Sequence, residues 1–156
     1  MEEPLKPQGE NVLTDQEARM RLKQARVALG MHPDELARHV YNSTSAYYDL
    51  ENCEGELFTN IDLGELSKLC VELGTNSRAL FGFEASTNTI TPEELCQRIQ
   101  RHLATEKLSL EVFEERVIYT VTSTLERPSE ILAWNIDCLR NVCCEIGVNW
   151  IEALPG

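Results

Sequence analysis

Two stretches of this chain repeat one another, and a repeat constrains a fold more than any single motif does. Leu69-Cys70-Val71-Glu72-Leu73-Gly74-Thr75-Asn76 returns as Val142-Cys143-Cys144-Glu145-Ile146-Gly147-Val148-Asn149, and Asn60-Ile61-Asp62 ahead of the first returns as Asn135-Ile136-Asp137 ahead of the second. A unit that recurs is one supersecondary structure built twice, so differences between the copies become readable as differences of role.

Both copies open with the same helix start. Thr14 with Glu17 forms a capping box ahead of the apolar stripe Ala18, Leu22, Ala25 and Leu29, and Gly30 stops it. Thr91 with Pro92 and Glu94 does the same ahead of Leu95, Ile99 and Leu103. At this offset of 77, Leu22 matches Ile99, Met31 matches Leu108, Leu36 matches Phe113 and Val40 matches Val117. The offset falls to 75 at Asn-Ile-Asp and to 73 at the cysteine segments, so two small deletions in copy two relate the halves.

Copy one therefore predicts helices at about 14 to 29, 33 to 40, 44 to 52 and 62 to 73, with a short turn near 76 to 81. Copy two predicts elements near 92 to 106, 110 to 125, 136 to 146 and 149 to 154. Val117 to Thr122 is β-branched and by itself reads as a strand, but its place in the repeat assigns it to a helix. The chain divides into a flexible N-terminal segment at 1–12, a first domain at 13–82, a linker at 83–90 and a second domain at 91–156.

The bulk properties set what such a chain contacts. Twenty-six Asp and Glu against fourteen Lys and Arg leave a net charge of −12, which repels nucleic acid and anionic membranes at long range. No apolar run of about 18 residues occurs and no apolar run follows a basic start, so a cytoplasmic protein without membrane contact is expected. The six cysteines lack Cys-x-x-Cys pairing and secretory context, so reduced thiols and no metal are expected. Cys70 and Cys143 sit at equivalent positions in apolar helices and read as core. His32, His39 and His102 are scattered with no nucleophile at recurrent spacing, and no glycine-rich phosphate loop is present. Neither catalysis nor a cofactor is expected.

Leu36-Ala37 through Leu50-Glu51 carries an apolar skeleton at Leu36, Ala37, Val40, Tyr47 and Leu50 around a polar turn, the pattern of two short helices crossing steeply. With the helix Leu63, Leu66, Leu69, Cys70, Leu73-Gly74 and the closing Leu80-Phe81, residues 18 to 82 resemble the Xre family, the Cro and phage-repressor type of helix-turn-helix. The resemblance implies an all-α chain of tandem five-helix lambda-repressor-like domains, the second degenerate. It also implies a transcriptional regulator whose second motif helix lies in the major groove of duplex DNA. Position by position, the contacting residues would be Thr44, Ser45, Ala46, Tyr48, Asp49 and Asn52. Arg19, Arg21, Lys23, Arg26 and Arg38 would supply phosphate contacts, unless they form i, i+4 pairs and a solvated helix face.

Three departures from the family pattern point to another role. Pro33 stands where an amide side chain is common, Asp49 stands where a cation is common, and Cys53-Glu54-Gly55-Glu56 adds acids beside the DNA. The alternative is a protein-binding module, such as an antitoxin, immunity factor or complex subunit, that keeps the fold and has lost DNA binding. Copy two replaces Ala37 with Glu114 and is shortened at the turn, so Leu110 to Leu125 is expected to run as one helix with no reading head. Its added Trp134 and Trp150 mark either a dimerisation or partner-binding surface or an interior. The two copies either pair within one chain as a pseudo-dimer or support a homodimer.

Overall fold

A computed structural model of the chain describes residues 14–40, 43–82 and 89–154, with side chains of residues 39 and 40 left aside. The expected N-terminal lead-in, most of the expected linker and the side chain of His39 lie outside the described residues. Among those described the chain is all-α, with no strand and one isolated antiparallel bridge. No helix among them is long and apolar enough to cross a membrane.

The first half folds as α1 (Asp15–Ala28), α2 (Pro33–Val40), α3 (Thr44–Asn52), α4 (Glu56–Thr59), α5 (Leu63–Glu72) and α6 (Ser77–Leu80). Four of the six begin where a short polar side chain relieves the unpaired amides of a helix start. Thr14 accepts from Glu17 N at 3.2 Å, Ser43 from Ala46 N at 3.3 Å, Asp62 from Glu65 N at 2.7 Å and Asn76 from Ala79 N at 2.9 Å. Helix α4 lies within what the sequence presents as an acidic loop. Its N-cap is Gly55 at φ +82°, a backbone setting that glycine adopts without steric cost.

The second half contains α7 (Pro92–Glu106), α8 (Leu110–Val117), α9 (Thr122–Glu126), a 3₁₀ segment Pro128–Ala133, α10 (Ile136–Ile146) and a 3₁₀ turn Trp150–Ala153. The expected single helix from Leu110 to Leu125 is not formed. Helix α8 ends at Val117, Ile118 takes φ +66°, and α9 starts only at Thr122. Glu114 explains the break: its carboxylate accepts from Val121 N at 2.6 Å and from the Thr122 hydroxyl at 3.2 Å, which ties down the start of α9. Val117 to Thr122 is thus neither strand nor continuous helix.

The cysteine segments correspond at an offset of 73. Leu63, Leu66, Leu69 and Cys70 of α5 are buried, as are their counterparts Ile136, Leu139, Val142 and Cys143 of α10. Both helices end on a glycine, Gly74 at φ +70° and Gly147 at φ +74°, and in both the next amide turns back, Thr75 N to Cys70 O and Val148 N to Cys143 O, each at 2.9 Å. The N-caps at this offset are Asp62 and Asn135. The two Asn-Ile-Asp motifs are therefore alike in sequence but out of structural register by two residues, since Asp62 closes one and Asn135 opens the other.

The halves meet along equivalent elements. Asp62 and Asn135 pair in the antiparallel bridge, Leu63 N donates to Trp134 O at 2.8 Å, and Asn135 Nδ2 donates to Thr59 O at 3.1 Å. Helix α5 packs on the 3₁₀ segment of the second half and α10 packs on α4 of the first, an exchange with the form of a two-fold axis inside one chain. Phe81 meets Trp150 edge to face at 5.2 Å, and the Arg140 guanidinium lies 5.2 Å from the Phe58 ring centre and 5.9 Å from that of Trp150. Arg78 adds hydrogen bonds to the carbonyls of Glu152 and Leu154. The buried apolar side chains of both halves form one contiguous cluster.

Candidate nucleic-acid interface

Helix α3 is held by one face. Tyr47, Leu50 and Glu51 are buried at spacings of three and four, the inner side of a single helical turn. A buried carboxylate needs a cation, and Arg26 of α1 supplies it: Nε lies 2.6 Å from Oε1 and Nη2 3.1 Å from Oε2 of Glu51, a two-pronged pair. The Tyr47 hydroxyl donates to the same Oε1 at 2.6 Å, and Arg26 Nη1 donates to Met31 O at 2.9 Å. The hydrogen bond to Glu51 raises the Arg26 pKa against the opposing effect of burial. Burial, then the bond to Glu51, keeps the Tyr47 phenol protonated well above the ordinary tyrosine range.

The opposite face of α3 is free to meet a ligand. Ser45, Tyr48, Asp49 and Asn52 are exposed at i, i+3, i+4 and i+7, while Thr44 and Ala46 are half-buried. Asn52 Nδ2 donates to Tyr48 O at 2.8 Å within the helix. This face offers hydroxyl, amide and carboxylate groups, each able to meet a base edge, and no cation.

The five cations named from the sequence do not form one stripe. Arg26 is consumed by Glu51 and is buried, which removes it from any groove contact. Arg19 pairs with Asp15 at 2.8 Å, the one i, i+4 ion pair among the five. Asp15 also accepts from Gly55 N at 3.3 Å, so this pair pins the start of α1 to the loop after α3. Arg21 lies roughly 160° around α1 from Lys23 and donates to Ala79 O at 3.0 Å. Among the described residues, Lys23 is exposed and free of ion pairs, and exposed Arg38 donates only to Asp34 O of its own helix, at 3.2 Å. The partner of Arg26 had a signal in the sequence: Glu51 follows Tyr47 by one turn on a face whose other member is Leu50, where a carboxylate cannot stand alone.

In the second half, Leu36 and Leu50 have apolar counterparts in Phe113 and Leu125, but the ion pair is gone, with Leu103 at the place of Arg26. The counterpart of α3 is the five-residue α9. Trp134 is buried with Nε1 donating to Thr124 Oγ1 at 2.9 Å, and Trp150 is half-buried against Phe81 of the first half. All six cysteines are free, and no metal-binding cluster occurs among the described residues.

Comparison with protein-family models, with curated proteins and with solved structures finds no match for this chain.

Proposed function

We propose that residues 14–82 form a helix-turn-helix unit of the Xre type and that the protein is a DNA-binding transcriptional regulator, with α3 entering the major groove. The supporting observation is the division of α3 into a face locked by Arg26, Glu51 and Tyr47 and an outward face of Ser45, Tyr48, Asp49 and Asn52. A reading helix must be rigid on one side and offer hydrogen-bonding groups on the other. Asn52 suits adenine and Asp49 the amino group of cytosine.

The second half supports assembly by clasping the first through α10 and the 3₁₀ segment. With Lys23 and Arg38 as the phosphate contacts, each chain releases few counterions. The slope of log K against log salt is then about −1.8, or about −3.6 for two chains on one site. The test is retention of genomic duplex fragments by the purified protein at about 50 mM salt, where electrostatic binding is strongest. Binding with that shallow slope, weakened when Lys23 and Arg38 are both changed to Ala, is expected. No retention, or retention indifferent to the double change, ends this proposal.

A second role has its own support in the charge around α3. Residues 14–82 hold seven Lys and Arg against eleven Asp and Glu, a net of 7 − 11 = −4, and two of the seven cations are tied up in ion pairs with Asp15 and Glu51. A protein partner with a basic surface would be attracted by this field where DNA is repelled. Loss of DNA retention together with a stoichiometric basic partner co-purifying at low salt, and released at high salt, supports this role.

A further inference from the structure

We propose that the cleft between α7 and the C-terminal end of α10 binds a small soluble oxyanion, a phosphate or a carboxylate. Arg98, Arg101, His102 and Thr105 stand at i, i+3, i+4 and i+7 on α7, hence on one face, and they line a cavity of about 260 Å³ closed on the far side by Ile146, Gly147 and Val148. In a chain of net charge −12, this wall gathers two guanidinium groups and an imidazole.

The side chains of this wall are not used up by the fold. His102 Nε2 is buried with no hydrogen-bond partner, and the nearest carboxylate oxygen, on Glu145, is 3.8 Å away, beyond hydrogen-bond reach. That oxygen is held instead by Arg116 at 3.0 Å. Arg101 is exposed and has no ion-pair partner among the described residues. Arg98 touches Glu94 at 3.3 Å, but both are more than 40% exposed, a pairing of the weak surface kind.

A simpler use for these cations would be to neutralise the negative end of α10. Two of the four closing carbonyls of that helix are already occupied, since Cys143 O accepts from Val148 N and Cys144 O from Gly147 N. What remains is a donor set whose acceptor is one exposed carboxylate, that of Glu94. A guanidinium fork and an imidazole N–H together match the geometry of a planar carboxylate or a phosphate. The cavity lies just below the usual range for drug-sized ligands, a size that suits a short organic acid or inorganic phosphate. Ile146 and Val148 would lie against a short carbon skeleton.

Nothing here depends on what α3 contacts, so anion binding and DNA binding succeed or fail separately. The test is calorimetric titration of the full chain, in chloride buffer, with inorganic phosphate and with succinate. Amide shifts of Gly147 and Val148 report the location. Binding of either anion with a dissociation constant on the order of 1 mM is expected, weakened at least about tenfold in Arg101→Glu, an exposed site whose change leaves the fold intact. His102→Leu, which keeps a side chain against Phe113 but removes the ring nitrogens, should weaken binding in the same direction. No binding of either anion up to about 10 mM, binding unchanged in Arg101→Glu, or shifts that spare Gly147 and Val148 overturns the proposal.

Discussion

Replacing Arg26 with Met separates a structural role from a DNA-contacting one, because the two predict opposite phenotypes. The Glu51 side chain is only 2% exposed, so without the guanidinium it keeps a single partner, the Tyr47 hydroxyl. A buried carboxylate stripped of its cation costs about 3–5 kcal/mol, a large share of the roughly 5–15 kcal/mol that holds a domain folded. For a chain of this length each kcal/mol lowers the melting temperature by about 2–4 °C, so a fall of roughly 6–20 °C is expected. Replacing both members, Arg26→Met with Glu51→Leu, removes the orphaned charge and leaves mainly the Tyr47 hydroxyl unpaired, at about 1–3 kcal/mol. The double variant should therefore be more stable than Arg26→Met alone. Urea unfolding at neutral pH, followed by circular dichroism, measures all three proteins. If Arg26→Met costs less than about 1 kcal/mol, or the double variant is the less stable, the network does not hold α3 as argued. An arginine serving only phosphate would leave stability untouched and lower DNA affinity instead.

Three further outcomes follow from the same packing. Burial pushes the thiols of Cys70 up to about 11 and of Cys138 and Cys143 up to about 12, so the folded chain keeps protons that the unfolded chain releases from about pH 8.5 upward. Stability is then full below that range and falls as pH rises through it, by about 6 kcal/mol at pH 10 for three thiols, and Cys143→Ala should remove about a third of the loss in urea melts at pH 7 and pH 10. Ile118→Gly should stabilise the chain by about 1 kcal/mol in thermal melts, since a β-branched residue at φ +66° is strained and this one, 79% exposed, gives up little burial; a lower melting temperature would contradict that. Because the buried apolar side chains of both halves form one cluster, tryptophan fluorescence and circular dichroism should report one coincident unfolding transition, and separated transitions would mean that the halves fold independently.

Five of the six helices of the first half were legible because the signals around them agree, a cap at Thr14, stop signals at Gly30 and Gly74 and an apolar stripe between them, whereas α4 was not. The second half misled at Ile118. β-Branched residues at 117 to 122 and an uninterrupted apolar pattern favour a continuous element, whereas a tertiary choice, Glu114 turning to cap the next helix, breaks it. The candidate interface was legible as a set of residues on α3 and illegible as a set of charges. Sequence spacing shows that Arg19, Lys23 and Arg26 share a side of α1, but not that Asp15 and Glu51 take two of them. The tryptophans were ambiguous for a related reason, since an aromatic that joins two halves of one chain has the same local sequence context as one that awaits a separate partner.

The internal two-fold bears on how such a chain could read DNA. Helix α3 has nine residues and its counterpart α9 has five, so only α3 has the length for the reading role proposed. A palindromic site contacted twice therefore requires a second chain, related to the first by a true two-fold axis. The natural surface for that contact, the one that joins α4 and α5 to their counterparts, is already filled by the chain's own second half. A dimer would have to use another face, and α1 leaves Met20 and Val27 more than half exposed two turns apart on one side. Light scattering on the wild type and on Val27→Glu distinguishes the cases. A dimer dissolved by the added charge would place the symmetric contact on α1, and a monomer throughout would restrict α3 to an asymmetric site of one half-site length.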